Sequence, residues 1–164
     1  MRKDADSLKE LFERHLLYEV LMLMGTRECI YAGEAETIKH NALVESFCIH
    51  ARLLIDFFEG HKPASAETFA EPTYVAFKEG PLAHSIVKRI NAQIAHLSLR
   101  RTVDPSRKLD HATLEQIFLR LTMEIANFRR HLKPEYRSLW PTSLDVPATP
   151  SVSKVPSEMP IAST

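Results

Sequence analysis

Apolar side chains recur along this chain at helical spacing, and four stretches carry the pattern. The first predicted helix starts at Asp4 or Ser7, and Ser7 with Glu10 has the form of a capping box. Leu8, Leu11, Phe12, His15, Glu19, Met22 and Leu23 share one side of it. Past Leu16 it becomes apolar almost all round, and it ends either at Met24, before Gly25, or further on towards Gly33. A segment of that kind is central in the monomer or shared with a second copy.

The second predicted helix, residues 34–59, contains the widest apolar arc of the chain. Within residues 41–58, apolar side chains cover about two-thirds of the circumference. Leu43, Phe47, Leu54 and Phe57 flank His50, and the polar remainder is a narrow stripe of Asn41, Glu45, Arg52, Asp56 and Glu59. A helix apolar over so wide an arc needs cover on most sides, which makes it the hub of a bundle. Gly60 suits its left-handed end.

About twenty residues follow, long for a connection inside a bundle: a lid, a short helix or a partner-binding loop. Phe69, Tyr74, Val75 and Phe77 predict that it packs down. A third helix spans residues 81–101, with Leu82, Ile86, Ile90, Ile94 and Leu97 as its apolar side. Asp110 caps a fourth, whose stripe is Leu114, Ile117, Phe118, Leu121, Ile125, Phe128 and Leu132, and Pro134 stops it. Beyond Trp140 the chain turns rich in Pro, Ser and Thr. The expected organisation is therefore an all-α, four-helix bundle-like domain over residues 1–140 and a disordered tail over 141–164.

Composition narrows the function classes. Lys and Arg balance Asp and Glu at 21 each, so no overall field draws the molecule to nucleic acid or to an anionic membrane. The apolar run at residues 16–24 is less than half of the roughly 20 residues needed to span a bilayer. The two cysteines, Cys29 and Cys48, have no metal-binding spacing, and no cleavable export signal precedes them, which makes the cytoplasm the simplest compartment. No zinc-protease, Walker, dinucleotide or nucleophile-elbow motif is present. The four glycines cannot build a phosphate-cradling loop, and neither a metal nor a cofactor is expected.

The candidate chemistry lies in polar residues on these helices. His50, inside the hub's apolar arc, reads as a buried histidine bonded to an acceptor or as the lining of a site between helices. Arg52 and Asp56, four apart beside Glu45, can pair on the hub's polar stripe. On the third helix, Arg89, Gln93, His96 and Arg100 fall within a stripe roughly 60° wide, and Arg101 adds charge nearby. Guanidinium groups can hold phosphodiester oxygens and an imidazole can move a proton, so this stripe suits RNA. The plainer reading is a solvated polar face beside the core.

Arg89 and His96, with six residues between them, fit the R-x4-6-H motif of the HEPN superfamily, which this chain resembles there; Ile90 stands where that motif more often has a polar residue, and Asn91 follows it. The resemblance implies a metal-independent endoribonuclease acting as a homodimer, of a toxin-antitoxin or defence system with an antitoxin-like partner. Arg89 and His96 would be catalytic, with Asn91, Arg100 and Arg101 binding substrate. A second resemblance covers residues 42–101: ALVESFCIHARLLIDFF and INAQIAHLSLRR are similar to two blocks of a bacterial all-α family of uncharacterised proteins. Its polar positions correspond to Glu45, His50, Arg52, Asp56, Asn91, His96 and Arg100 or Arg101, consistent with one polar site between the two helices. The contrasting expectation is a non-catalytic bundle that assembles with itself or a protein partner through the apolar end of the first helix and the hub stripe.

Overall fold

The structure, a computed structural model, describes residues 2–33, 36–60, 64–78, 80, 82, 84–94 and 109–144. Its elements are α1 (Arg2–Glu10), a π-helical segment (Leu11–Leu16), α2 (Leu17–Ala32), α3 (Thr37–Phe58), α4 (Ala66–Phe69), α5 (His84–Ile94), α6 (His111–Arg130), α7 (Pro134–Arg137) and a closing 3-10 turn (Thr142–Leu144). Among the described residues there is no strand, only an isolated antiparallel bridge between Ala70 and Leu132. The all-α fold follows. No helix among these residues is long and apolar enough to cross a membrane.

α1, the π segment and α2 run on without a break, so Ser7 lies inside a helix and not at its start, and the predicted capping box does not mark an N-terminus there. The Leu17 N–H bonds to the Phe12 carbonyl, five residues back. That wider turn keeps Phe12 and Leu16, four apart, both buried on the core side. Gly25 does not end the helix; the chain turns at Gly33, whose φ of 74° suits a residue without a Cβ.

α3 is the hub. Phe47, Cys48, His50, Ala51, Leu54, Ile55 and Phe58 are buried along it, and α2, α4, α5 and α6 all pack against it. Its apolar arc is wider than its cover, however: Ile38, Ile49 and Leu53 stay exposed. α6 begins as expected, with the Asp110 carboxylate accepting the Thr113 N–H at 2.8 Å, and it buries Leu114, Ile117, Leu121, Ile125 and Phe128. Pro134 does more than stop it, because it opens the short α7.

The long connection packs down, partly through the short α4. Phe69, Tyr74 and Phe77 are buried, whereas Val75 is exposed. They join an aromatic cluster in which Phe12 meets Phe69 at 5.5 Å, Phe69 meets Tyr136 at 5.0 Å and Phe58 meets Phe77 at 6.1 Å between ring centroids. The packed chain continues past Trp140 to Leu144, which is also buried. Residues 145–164, which hold most of the predicted tail, and residues 95–101 of the predicted third helix lie outside the described residues.

Candidate functional site

The polar stripe of α3 and one shoulder of α5 meet. Arg52 Nε donates to Asn91 Oδ1 at 2.9 Å, which joins the two sequence blocks directly. Arg52 Nη1 also lies 2.6 Å from Asp56 Oδ1, an ion-pair contact outside hydrogen-bond angles. Glu45, two helical turns before Arg52, stands exposed on the same stripe. A guanidinium held between a carboxylate and an amide fixes how α5 sits on α3.

His50 does not belong to this group. It is two residues from Arg52, about 200° away round the helix, and faces α2. There its Nδ1 donates to Glu19 Oε2 at 2.6 Å, with the two side chains 10% and 20% exposed. The carboxylate can only accept, so the proton sits on Nδ1. Tyr18 packs edge-on against the imidazole, 5.8 Å between centroids. The expected single polar site is therefore divided: Arg52, paired with Asp56, turns towards Asn91, and His50 towards Glu19.

Arg89 lies on the other shoulder of α5. Buried Ile90 separates it from Asn91, each about 100° to one side. Arg89 Nη1 reaches the Thr113 hydroxyl at 3.4 Å, beside Asp110 at the start of α6. The hydroxyl and N–H of Thr113, and then the charge of Arg89, hold the Asp110 carboxyl below the usual carboxylate range. Arg89 thus helps tie α5 to the N-terminus of α6. His96, Arg100 and Arg101 lie outside the described residues.

Two polar nodes had no place in the sequence reading. Glu124, 4% exposed, accepts from the Tyr74 hydroxyl at 2.5 Å, the Phe77 N–H at 2.8 Å and the Asn127 amide at 3.3 Å. One buried carboxylate thereby clamps the long connection onto α6. The sequence signal was present: Glu124 follows Ile117 by seven residues and so falls within the apolar stripe. The second node joins α2 to α6, where Arg27 grips Glu115 with two nitrogens at 3.0–3.3 Å. Its guanidinium lies 4.5 Å from the Tyr31 ring centroid and 4.9 Å from that of Phe118. The Tyr31 hydroxyl donates to the His111 carbonyl at 3.1 Å.

Among the described residues, no three His, Cys, Asp or Glu side chains converge as a metal site would require. Compared with protein-family models, with curated proteins and with solved structures, the chain matches none of them.

Proposed function

We propose that this chain is a non-catalytic helical interaction module that pairs with a second copy of itself through the outer face of α2 and α3. The carrying observation is a set of large apolar side chains left in water: Tyr18 is 49% exposed, Leu21 56%, Ile49 44% and Leu53 46%. α2 and α3 form an antiparallel pair with Glu19 facing His50. The residues just before these two, Tyr18 and Ile49, therefore turn to the same side of the pair. Leu53 follows Ile49 on α3, Leu21 lies about 60° further round α2, and Ile38, 82% exposed, stands near the start of α3 with exposed Glu45 between it and Ile49.

Exposed apolar side chains gathered on one face mark a candidate interaction site. A second copy suits this one. A two-fold interface must be self-complementary, and its apolar part, Tyr18, Ile49 and Leu53, meets itself without repulsion.

The ribonuclease reading draws less support, because His96, Arg100 and Arg101 lie outside the described residues and a side-chain bond at 3.4 Å ties Arg89 to Thr113. One experiment separates the two. Light scattering across a concentration series is expected to show a dimer that Leu21→Glu or Leu53→Glu converts to a folded monomer. A wild-type protein that stays monomeric overturns the proposal. Metal-free cleavage of single-stranded RNA that is lost in His96→Ala would replace it with the nuclease.

A further inference from the structure

Where the long connection crosses the C-terminal end of α6, the surface folds into a cleft of about 490 Å³ lined by Thr73, Val75, Lys78, Asn127, Arg130 and His131. Three of these six side chains are basic or able to become cationic. Among the described residues no acidic side chain lines the cleft. From this lining we infer that the cleft is a binding site for a phosphate monoester, with Lys78 and Arg130 holding the phosphate oxygens.

The cleft is built and not merely a gap between loops. Its connection wall is fixed from below by Glu124, which takes the Tyr74 hydroxyl and the Phe77 N–H. Asn127 ties the same wall to α6 by donating to the Val75 carbonyl at 3.1 Å. Arg120 donates to the Gly80 carbonyl and closes the far end of the connection. Phe77 is held at a φ of 45°, a left-handed conformation rare for a side chain of that size. Its buried ring and bonded N–H keep it there, and the strained turn presents the next residue, Lys78. Strain of this kind collects where a surface is shaped in advance for a ligand.

The chemistry of the lining selects the ligand class. His131 Nδ1 donates to the Asn127 carbonyl at 2.8 Å, which leaves Nε2 for a ligand. Arg130 offers a planar fork suited to phosphate oxygens, and Lys78 a point charge. The Thr73 hydroxyl completes a set of donors. The negative end of the α6 dipole works against an anion, and a base in the last helical turn offsets it. That effect accounts for Arg130 but not for Lys78, which arrives from a separate segment. Phosphate alone would occupy a small part of a cleft in the usual size range for organic ligands, so the expected ligand carries an organic body on its phosphate.

The test is isothermal titration calorimetry on the full chain with adenosine 5′-monophosphate, ribose 5-phosphate and inorganic phosphate as probes. Saturable binding of either ester is expected, with inorganic phosphate weaker. Lys78→Ala and Arg130→Ala should each weaken it about tenfold. Lys88→Ala removes an equal charge from α5 and should leave binding unchanged, and circular dichroism checks that each variant is folded. Inorganic phosphate binding as tightly as the esters, or more so, would overturn the monoester assignment in favour of a free-phosphate site. Absence of saturable binding up to about 10 mM, persistence of binding in both cleft variants, or an equal loss in Lys88→Ala would overturn the site itself.

Discussion

Glu19 Oε2 and His50 Nδ1 meet at 2.6 Å across the interface of α2 and α3, each the polar exception in an otherwise apolar stretch. Glu19 is the only charge in residues 16–24, and His50 sits within the apolar arc of the hub. Together they satisfy one another; apart, each would be a largely buried polar group without its partner. His50→Ala is expected to cost about 1–3 kcal/mol in urea unfolding, because it strands a carboxylate that is four-fifths covered. In a double-mutant cycle with Glu19→Ala the two losses should couple by roughly 0.5–3 kcal/mol. Strictly additive losses would show that the contact contributes nothing.

Tyr74 and Glu124 make a second dependent pair, with a signature in alkali. Burial first, and then the hydrogen bond and charge of Glu124, push the Tyr74 phenol well above its ordinary 10.0. The unfolded chain releases that proton near pH 10 and the folded chain keeps it. Stability from this group is therefore complete below pH 10 and falls as pH rises beyond it. Tyr74→Phe should lower stability at pH 7 by about 1–3 kcal/mol, since Glu124 loses a buried donor. It should also flatten the alkaline decline. An unchanged slope of unfolding free energy between pH 9 and 11 would contradict the assignment.

How much of this was legible in the chain depends on the range of each interaction. The hub could be read because an apolar arc is a property of one helix, as could the Asp110 cap and the left-handed Gly60, whereas the choice between Gly25 and Gly33 for the end of the first helix stayed open. The Arg52–Asn91 bond was half legible: both residues stand among the polar positions read from the sequence, but which shoulder of α5 faces α3 is not written there. The His50–Glu19 bond makes the point more sharply. A bonded acceptor for His50 was expected, but its identity depends on how α2 rotates against α3, and no spacing within either helix records that rotation. The π segment at Leu11–Leu16 left no sequence mark that periodicity detects. Glu124 was readable from its place in the α6 stripe; reading that stripe as core alone passed over it.

The two thiols should separate cleanly. Cys48 is 1% exposed, and burial, with the charge of Glu45 behind it, pushes its thiol up to about 12 from 9.0, whereas Cys29 is exposed. A thiol reagent at pH 8 is expected to modify one cysteine per native chain, at Cys29, and two after unfolding. Cys48 adds to the alkaline decline with the same sign: its contribution is whole below pH 9 and is lost as pH rises towards 12. Cys29 also lies on the outer face of α2, eight residues after Leu21, so a dimer formed there would shield it. The modification rate of Cys29 should then fall as protein concentration rises. A concentration-independent rate would argue against pairing through this face.

Gly25 sits in the middle of α2 without a backbone reason for being glycine. Its φ is not positive, and a Cβ built there would meet nothing within 4 Å. Glycine inside a helix costs roughly 0.5–1 kcal/mol relative to alanine, because the unfolded chain has more freedom to lose. Gly25→Ala is therefore expected to stabilise the dilute monomer by about that amount in thermal or urea unfolding. The monomer alone would gain from the extra methyl. Gly25 follows Leu21 by four residues on the proposed pairing face, where a missing side chain lets two backbones approach closely. The same substitution should weaken self-association while raising monomer stability. Alanine that stabilises the fold and leaves the dimer dissociation constant untouched would separate Gly25 from the interface.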